Sequence, residues 1–119
     1  MAPSASGPHS IIQRTNDRRR AQRARLGVTV TITVARKLVD ALGMDVSQGG
    51  IRVVASEPAR VGHEVSLVFF LDGDIVSAKG IVQWCAEGKR GLSMFGVRFT
   101  ALDEDGPSLV ASYCNASFS

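Results

Sequence analysis

Apolar and polar residues alternate strictly in several stretches of this chain, which is the pattern of a strand with one buried face. From Val28 to Val34, valine or isoleucine stands at every second position with threonine between. The same period of two recurs from Glu64 to Leu71 and from Leu92 to Thr100. We therefore predict half-buried strands in these three stretches.

Three further stretches are predicted to be strands on weaker patterns. Ile51 to Val54 is short and apolar, and Lys37 to Met44 fits either a strand or one helical turn, of which we favour a strand running into Asp45. Ile75 to Cys85 is long, and its interior Gly80 indicates a bulge or a close backbone approach. Its predicted core face consists of Val76, Ala78, Gly80, Val82 and Trp84.

Turn and helix signals complete the predicted architecture. Asp72-Gly73-Asp74 is a hairpin signal between two of the strands. Gly106-Pro107 opens a short helix, because proline is tolerated at the first helical position. The apolar stripe of that helix is Leu109, Val110, Tyr113 and Cys114. About six antiparallel strands and one terminal helix predict an all-β fold, a small barrel or strongly rolled sheet that the helix plugs at one end.

Positive charge is concentrated in an N-terminal arm. Residues 1–26 carry six arginines and one aspartate, a balance of +5, while residues 27–119 carry eight basic and ten acidic groups, a balance of −2. Such an arm either has an anionic partner or is a solvated tail. Residues 1–17 are rich in Pro, Ser, Gly and Ala, so we predict a disordered tail there and a single domain over 18–115, whose arm is 18–26.

Several classes of protein are not indicated. Cys85 and Cys114 lack the spacing of a zinc site or a disulfide framework, so a reducing cytosol fits best. No stretch has the length and apolarity of a membrane helix or a leader peptide. Ser47 is not in a GxSxG elbow, and the two histidines, His9 and His63, stand apart in a tail and a loop. We expect a cytoplasmic protein that is no enzyme, holds no metal or cofactor, and has no membrane partner.

Two segments carry binding chemistry. Arg19 and Arg23 are four residues apart, and guanidinium groups fork onto phosphate, pair with the O6 and N7 atoms of guanine, and stack on bases. The stretch from Asp45 to Ile51 combines Asp45, Ser47 and a Gly49-Gly50 pair in a predicted compact loop. Taken alone, the first is more often a tail or a nonspecific nucleic-acid arm, and the second is more often only a turn.

In this order the two segments resemble the PilZ domain family. The family has an RxxxR segment ahead of its barrel, as Arg19-x-x-x-Arg23 is here, and a (D/N)xSxxG motif on it, as Asp45-x-Ser47-x-x-Gly50 is here. The later stretches Ile81–Trp84 and Gly96–Thr100 also look like the family's closing hairpin, so the resemblance covers about residues 18–114. Arg14 and Arg18 form a second RxxxR, which leaves two registers open.

The resemblance implies a six-stranded antiparallel β-barrel with a short C-terminal helix that binds the second messenger cyclic di-GMP without catalysis. It implies that Arg19 and Arg23 contact guanines and phosphates, while Asp45, Ser47 and Gly50 hold the other guanine edge. The neighbouring Arg18 and Arg20 are added as candidates for ligand contact. Trp84 is expected in the core, although a Trp at a strand end can also stack on a base.

We therefore expect a free-standing receptor whose liganded surface is read by an unidentified downstream protein. Two other interpretations stay open at this point. One is a basic-armed domain that binds nucleic acid, and the other is an interaction module of the same fold that binds no ligand.

Overall fold

The computed structural model describes residues 23–117. The predicted tail over 1–17 and the candidate residues Arg18, Arg19 and Arg20 lie outside the described residues. Arg23, Asp45, Ser47, Gly50 and Trp84 lie within them.

Six strands and one α-helix make up the described chain. The strands are β1 (Ala24–Val34), β2 (Lys37–Ser47), β3 (Gly50–Ala55), β4 (Glu64–Leu71), β5 (Asp74–Glu87) and β6 (Ser93–Leu102). A single 3-10 turn (Lys89–Gly91) joins β5 to β6, and α1 (Gly106–Ser117) follows β6.

The strands form a closed antiparallel barrel in the order β1-β2-β3-β6-β5-β4. Four of the six neighbouring pairs join strands that follow one another in sequence, and the pairs β3–β6 and β1–β4 close the circle. The predicted all-β class and six-stranded barrel with a C-terminal helix are therefore confirmed. Within the described residues, no helix is long and apolar enough to cross a membrane.

The interior of the barrel is filled by the apolar residues that alternate with polar ones along the strands. Side chains from every strand are buried there, with Ile32, Leu67, Phe69 and Phe95 among the largest. Helix α1 adds Val110 and Cys114 to the same core, which confirms its predicted apolar stripe. Burial raises the pKa of the Cys114 thiol, against a smaller lowering by the backbone at Ala24 and by the charge of Arg23.

Strand β1 begins earlier than the alternation predicted. It starts at Ala24 rather than Val28, and Ala24 is buried opposite Val46. The register shifts between Arg25 and Val28, so the periodic pattern breaks inside the strand. Arg25 and Leu26 thus belong to the barrel and not to the arm, a correction to its predicted end.

Strand β2 confirms the choice of a strand for Lys37 to Met44 and extends it to Ser47. The predicted compact loop over 45–50 is therefore wrong, because Asp45 and Ser47 end one strand and Gly50 begins the next. Only Gln48 and Gly49 form the turn.

Trp84 is the one residue of the predicted β5 core face that does not point inward. Val76, Ala78 and Val82 are buried as predicted, but Trp84 is 38% exposed. The pairing of β5 with β6 shifts between Val82 and Trp84, which reverses the alternation at that point. A second shift, at Lys79–Gly80, confirms the bulge predicted there.

Two hairpins use the same type of turn with different residues. Asp72 and Gly73 join β4 to β5 with φ angles of 49° and 87°, which confirms the predicted hairpin. Ala35 and Arg36 join β1 to β2 with φ angles of 49° and 67°. Two-residue turns with both central φ positive match the twist of the strands, and glycine is the residue that suits them. Ala-Arg gives no such signal, so the sequence did not predict the first turn.

We expect Arg36→Gly to stabilise the protein by about 1 kcal/mol, because it removes a side chain from the left-handed region. Arg36→Ala keeps the unfavourable φ and removes only the charge, so it is the matched control. The midpoint of urea unfolding measures both. Equal midpoints for the two variants would contradict the assigned turn conformation.

Candidate functional site

The candidate site lies where the start of β1 meets the hairpin of β2 and β3. Arg23 directly precedes β1, and Ser47 and Gly50 face each other across the two-residue turn. The Ser47 hydroxyl accepts a hydrogen bond from the Gly49 N–H at 3.3 Å and donates one to the Gly50 carbonyl at 3.5 Å. Ser47 is buried, so these contacts explain why a small hydroxyl residue stands at this position.

Gly50 is needed because two strands approach closely. A Cβ atom at Gly50 would lie 2.2 Å from the carbonyl oxygen of Val97 on β6. Neither Gly49 nor Gly50 has a positive φ. The glycine of the motif therefore permits the β3–β6 contact that closes the barrel.

Asp45 is shared by two arginines. It pairs across the hairpin with Arg52, whose Nε donates to Oδ1 at 3.0 Å and to Oδ2 at 2.8 Å, and whose Nη2 also contacts Oδ2. On the other side, Nη1 of Arg23 lies 3.1 Å from Oδ1. Asp45 is only 7% exposed, and a carboxylate this buried needs such partners. Its hydrogen bonds raise the pKa of Arg52 above the ordinary value.

The contact between Arg23 and Asp45 is an ion pair rather than an aligned hydrogen bond. Within the described part of the chain, the buried Nη1 of Arg23 has no hydrogen-bond acceptor, although the carboxylate is close. A buried guanidinium donor without an aligned acceptor is incompletely satisfied. The Arg23 side chain as a whole is 34% exposed, so the guanidinium can meet a ligand at the surface although Nη1 is buried.

A shallow cavity of about 120 Å³ lies beside Arg23. Of the residues predicted to bind ligand, Arg23, Ser47, Gly50 and Trp84 line it. Asp45 does not line it, but it holds Arg23 at its edge. Gly49, Gln83, Gly96, Val97 and Arg98 complete the wall.

Trp84 packs against a glycine of the neighbouring strand. It is paired with Gly96, and a Cβ atom at Gly96 would lie 2.3 Å from the indole nitrogen and 2.6 Å from Cε2. The absence of a side chain at Gly96 lets the ring approach the sheet, while the residue stays partly exposed. An exposed aromatic ring held against a sheet is a platform on which a base can stack.

Arg52 and Arg98 are two residues of the site that were not predicted from the sequence. Arg52 had a usable signal: with the turn at Gln48-Gly49, counting back from Ser47 and forward from Gly50 places Asp45 opposite Arg52. Arg98 had none, because it reaches the site through the pairing of β3 with β6, which joins distant parts of the chain.

Helix α1 is attached directly beneath the site. The Tyr113 hydroxyl donates to the Arg25 carbonyl at 2.5 Å, and Sγ of Cys114 lies 3.5 Å from the Val46 carbonyl oxygen. Arg25 is the second residue of β1, and Val46 is the last residue but one of β2. The helix thus supports the two strands that carry Arg23 and Asp45.

We expect Asp45→Asn to lower the free energy of unfolding by about 1–3 kcal/mol, because two arginines lose their carboxylate. Arg52→Gln should cost less than about 1 kcal/mol, because the Arg52 side chain is 41% exposed and Arg23 still pairs with Asp45. Urea unfolding measures both. Asp40→Asn is the matched control, since Asp40 is exposed on the same strand. If Asp45→Asn lowered the free energy of unfolding no more than Asp40→Asn does, a structural role for the ion pairs would be contradicted.

Comparison with known protein families gives one match over most of the chain. The profile of the PilZ domain matches residues 17–116. Comparison with curated protein sequences gives no significant match.

Solved structures with the same fold include three informative neighbours. The Bacillus subtilis inhibitor of motility MotI/DgrA has a TM-score of 0.69 at 17% identity, over 79% of this chain and 48% of that one. The PilZ domain of CeSA from a cellulose-synthesizing bacterium has a TM-score of 0.59 at 20% identity, over 82% and 98%. Borreliella burgdorferi PlzA, solved in complex with cyclic di-GMP, has a TM-score of 0.59 at 7% identity, over 92% and 57%. At these identities the likeness shows the fold. The chain spans about half the length of the MotI/DgrA chain.

Proposed function

The chain belongs to the PilZ domain family, and on that premise we propose that it is a receptor for cyclic di-GMP. The family is one of cyclic di-GMP receptors and adaptors. The observation that carries the proposal is that Arg23 lies at the edge of the cavity that Ser47, Gly50 and Trp84 also line. We propose no catalytic step for this site.

The chemistry of the cavity suits one nucleotide unit. Arg23 offers a partly exposed guanidinium, and Trp84 offers a partly exposed aromatic ring. Guanidinium groups bind phosphate and guanine, and aromatic rings stack on bases. The cavity of about 120 Å³ is smaller than the clefts of about 300–1,000 Å³ that enclose whole ligands. In the proposed complex, it therefore receives one base, and further contacts come from outside it.

Those further contacts are assigned to the arm. Arg19, with Arg18 and Arg20 beside it, is four residues before Arg23 in the chain and would cover the ligand from the side opposite the barrel. Arginines close together repel one another, and an anion with two phosphates relieves that repulsion. Ligand binding would then draw residues 18–23 against the barrel.

In the proposed complex, Asp45 also accepts hydrogen bonds from a guanine of the ligand. Its carboxylate oxygens are occupied by Arg23 and Arg52, so an edge of guanine can reach them only if one arginine turns away. Arg23 is the one without an aligned hydrogen bond to Asp45, and the ligand phosphate is an alternative partner for it. Arg52 would remain paired with the carboxylate while the carboxylate accepts hydrogen bonds from guanine N1–H and N2–H.

The liganded surface is proposed to be read by a downstream protein in the cytoplasm. The MotI/DgrA neighbour is described as an inhibitor of motility. The proposed signal is the arm held over the barrel.

Titration calorimetry at about 150 mM salt tests the function, with cyclic di-GMP, GTP and a mixed oligonucleotide as ligands. We expect cyclic di-GMP to bind tightest, and Arg23→Ala to weaken it by about 1.5–3 kcal/mol, the scale of hydrogen bonds to charged groups. Arg60→Ala, an exposed arginine in the loop between β3 and β4, is the matched control. The same titration of Ser47→Ala, with a thermal melt beside it, should show weaker binding in a folded barrel.

Two results would contradict this proposal. Tighter binding to the oligonucleotide, with affinity falling steeply between about 50 and 200 mM salt, would indicate a nucleic-acid arm. No binding to any of the three ligands would indicate a domain that acts through protein contacts alone.

Limited trypsin digestion tests the proposed closure of the arm. Cyclic di-GMP should slow cleavage after Arg18, Arg19, Arg20 and Arg23. Cleavage after Arg14 should change little, which makes it the internal control. Mass spectrometry of the fragments identifies each site. Equal cleavage rates with and without saturating cyclic di-GMP would refute the closure even where calorimetry shows binding.

A further inference from the structure

Arg98 is the second arginine in the wall of the cavity, and it comes from the barrel rather than from the arm. It lies on β6, opposite Gly50 on β3 and Ile81 on β5, and its side chain is exposed. Among the described residues, no carboxylate lies within ion-pair distance of it. Arg23, by contrast, is partly neutralised by Asp45.

Among the described residues, no acidic side chain lines the cavity. The charged residues of this part of the wall are Arg23 and Arg98. Asp45 is one carboxylate shared by Arg23 and Arg52, and Arg98 has no carboxylate partner among the described residues, so the site keeps a net positive charge to which Arg98 contributes in full. A guanidinium without a carboxylate partner, next to an aromatic side chain, can bind an anionic group that is attached to an aromatic base.

The spacing along β6 places that cation next to the platform. Gly96 and Arg98 are two residues apart, and the residue between them, Val97, is buried in the barrel. Gly96 and Arg98 therefore share the outer face of the sheet, about 6.6 Å apart along the strand. Trp84 covers Gly96, so Arg98 would lie beside a base that stacks on Trp84. The ribose attached to that base carries the phosphate, which would then be within reach of Arg98.

The backbone at Arg98 is fixed before any ligand arrives. It is paired with strands on both sides, and the N–H of the next residue, Phe99, donates to the Gly49 carbonyl at 2.9 Å. Arg23 instead precedes β1 and is paired with no strand. Arg98 is thus a cation on a rigid support, directly across from the motif glycine.

We propose that Arg98 contacts the phosphodiester of the cyclic dinucleotide whose base stacks on Trp84. This inference rests on the proposed function and adds to it a contact outside the two sequence motifs. Since Arg98 meets the phosphate and not the base, it strengthens binding without selecting guanine. It also provides an anchor on the barrel that does not depend on the arm.

Calorimetric titration of Arg98→Ala with cyclic di-GMP tests the contact, with Arg60→Ala as a variant that removes the same charge elsewhere. We expect Arg98→Ala to weaken binding about 10- to 100-fold, the effect of losing one charge-assisted hydrogen bond. Arg98→Lys should lie between the two, because lysine keeps the charge but not the fork. Thermal melts should show all three variants folded, since Arg98 and Arg60 are exposed.

Phosphorus NMR and a second ligand separate a phosphate contact from the alternatives. In the bound state, Arg98→Ala should shift one phosphorus resonance of cyclic di-GMP, and Arg60→Ala should shift neither. The ratio of affinities for cyclic di-GMP and cyclic di-AMP should be unchanged by Arg98→Ala. A reduced ratio would assign Arg98 to the guanine edge and overturn the phosphate contact.

The outcomes for the site and for the function are distinct. If the unsubstituted chain binds cyclic di-GMP and Arg98→Ala binds it equally well, the Arg98 contact is wrong and the proposed function stands. If the unsubstituted chain does not bind cyclic di-GMP, the proposed function fails and this contact fails with it.

Discussion

Closure of the barrel between β3 and β6 is the constraint on which the site depends. The two backbones meet so closely at Gly50 and Val97 that no side chain fits between them. That approach brings the β2–β3 hairpin, with Asp45 and Ser47, against the strand that carries Arg98. Residues about fifty positions apart in the sequence thus share one surface because a sheet of six strands has to close.

The Asp45 carboxylate then sets the charge of that surface. Its single negative charge is shared by the arginines on its two sides, and the arginine on β6 has no carboxylate partner among the described residues. A buried carboxylate between two guanidinium groups is stable only while at least one of them stays. Having two partners, one well aligned and one poorly aligned, lets Asp45 release Arg23 without becoming an isolated buried charge.

Much of the fold was predictable because an apolar interior imposes a period of two on each strand. The prediction from sequence was wrong where a bulge interrupts the alternation within a strand. The bulge before Val28 hid the start of β1, and the shift before Trp84 turned a predicted core residue outward. The site residues on one hairpin share a local register, so Asp45 and Ser47 could be grouped from sequence. Arg98 could not, because no local pattern encodes which distant strand will lie beside Gly50.

The hydrogen bond from Tyr113 to the Arg25 carbonyl joins residues 88 positions apart. Contacts between distant residues form late, because they require the intervening chain to be in place. During synthesis on a ribosome, the strand that follows Arg23 cannot receive this support until the helix at the other end of the domain has emerged. The start of β1, and with it Arg23, would therefore reach its final position only after α1 has been synthesised.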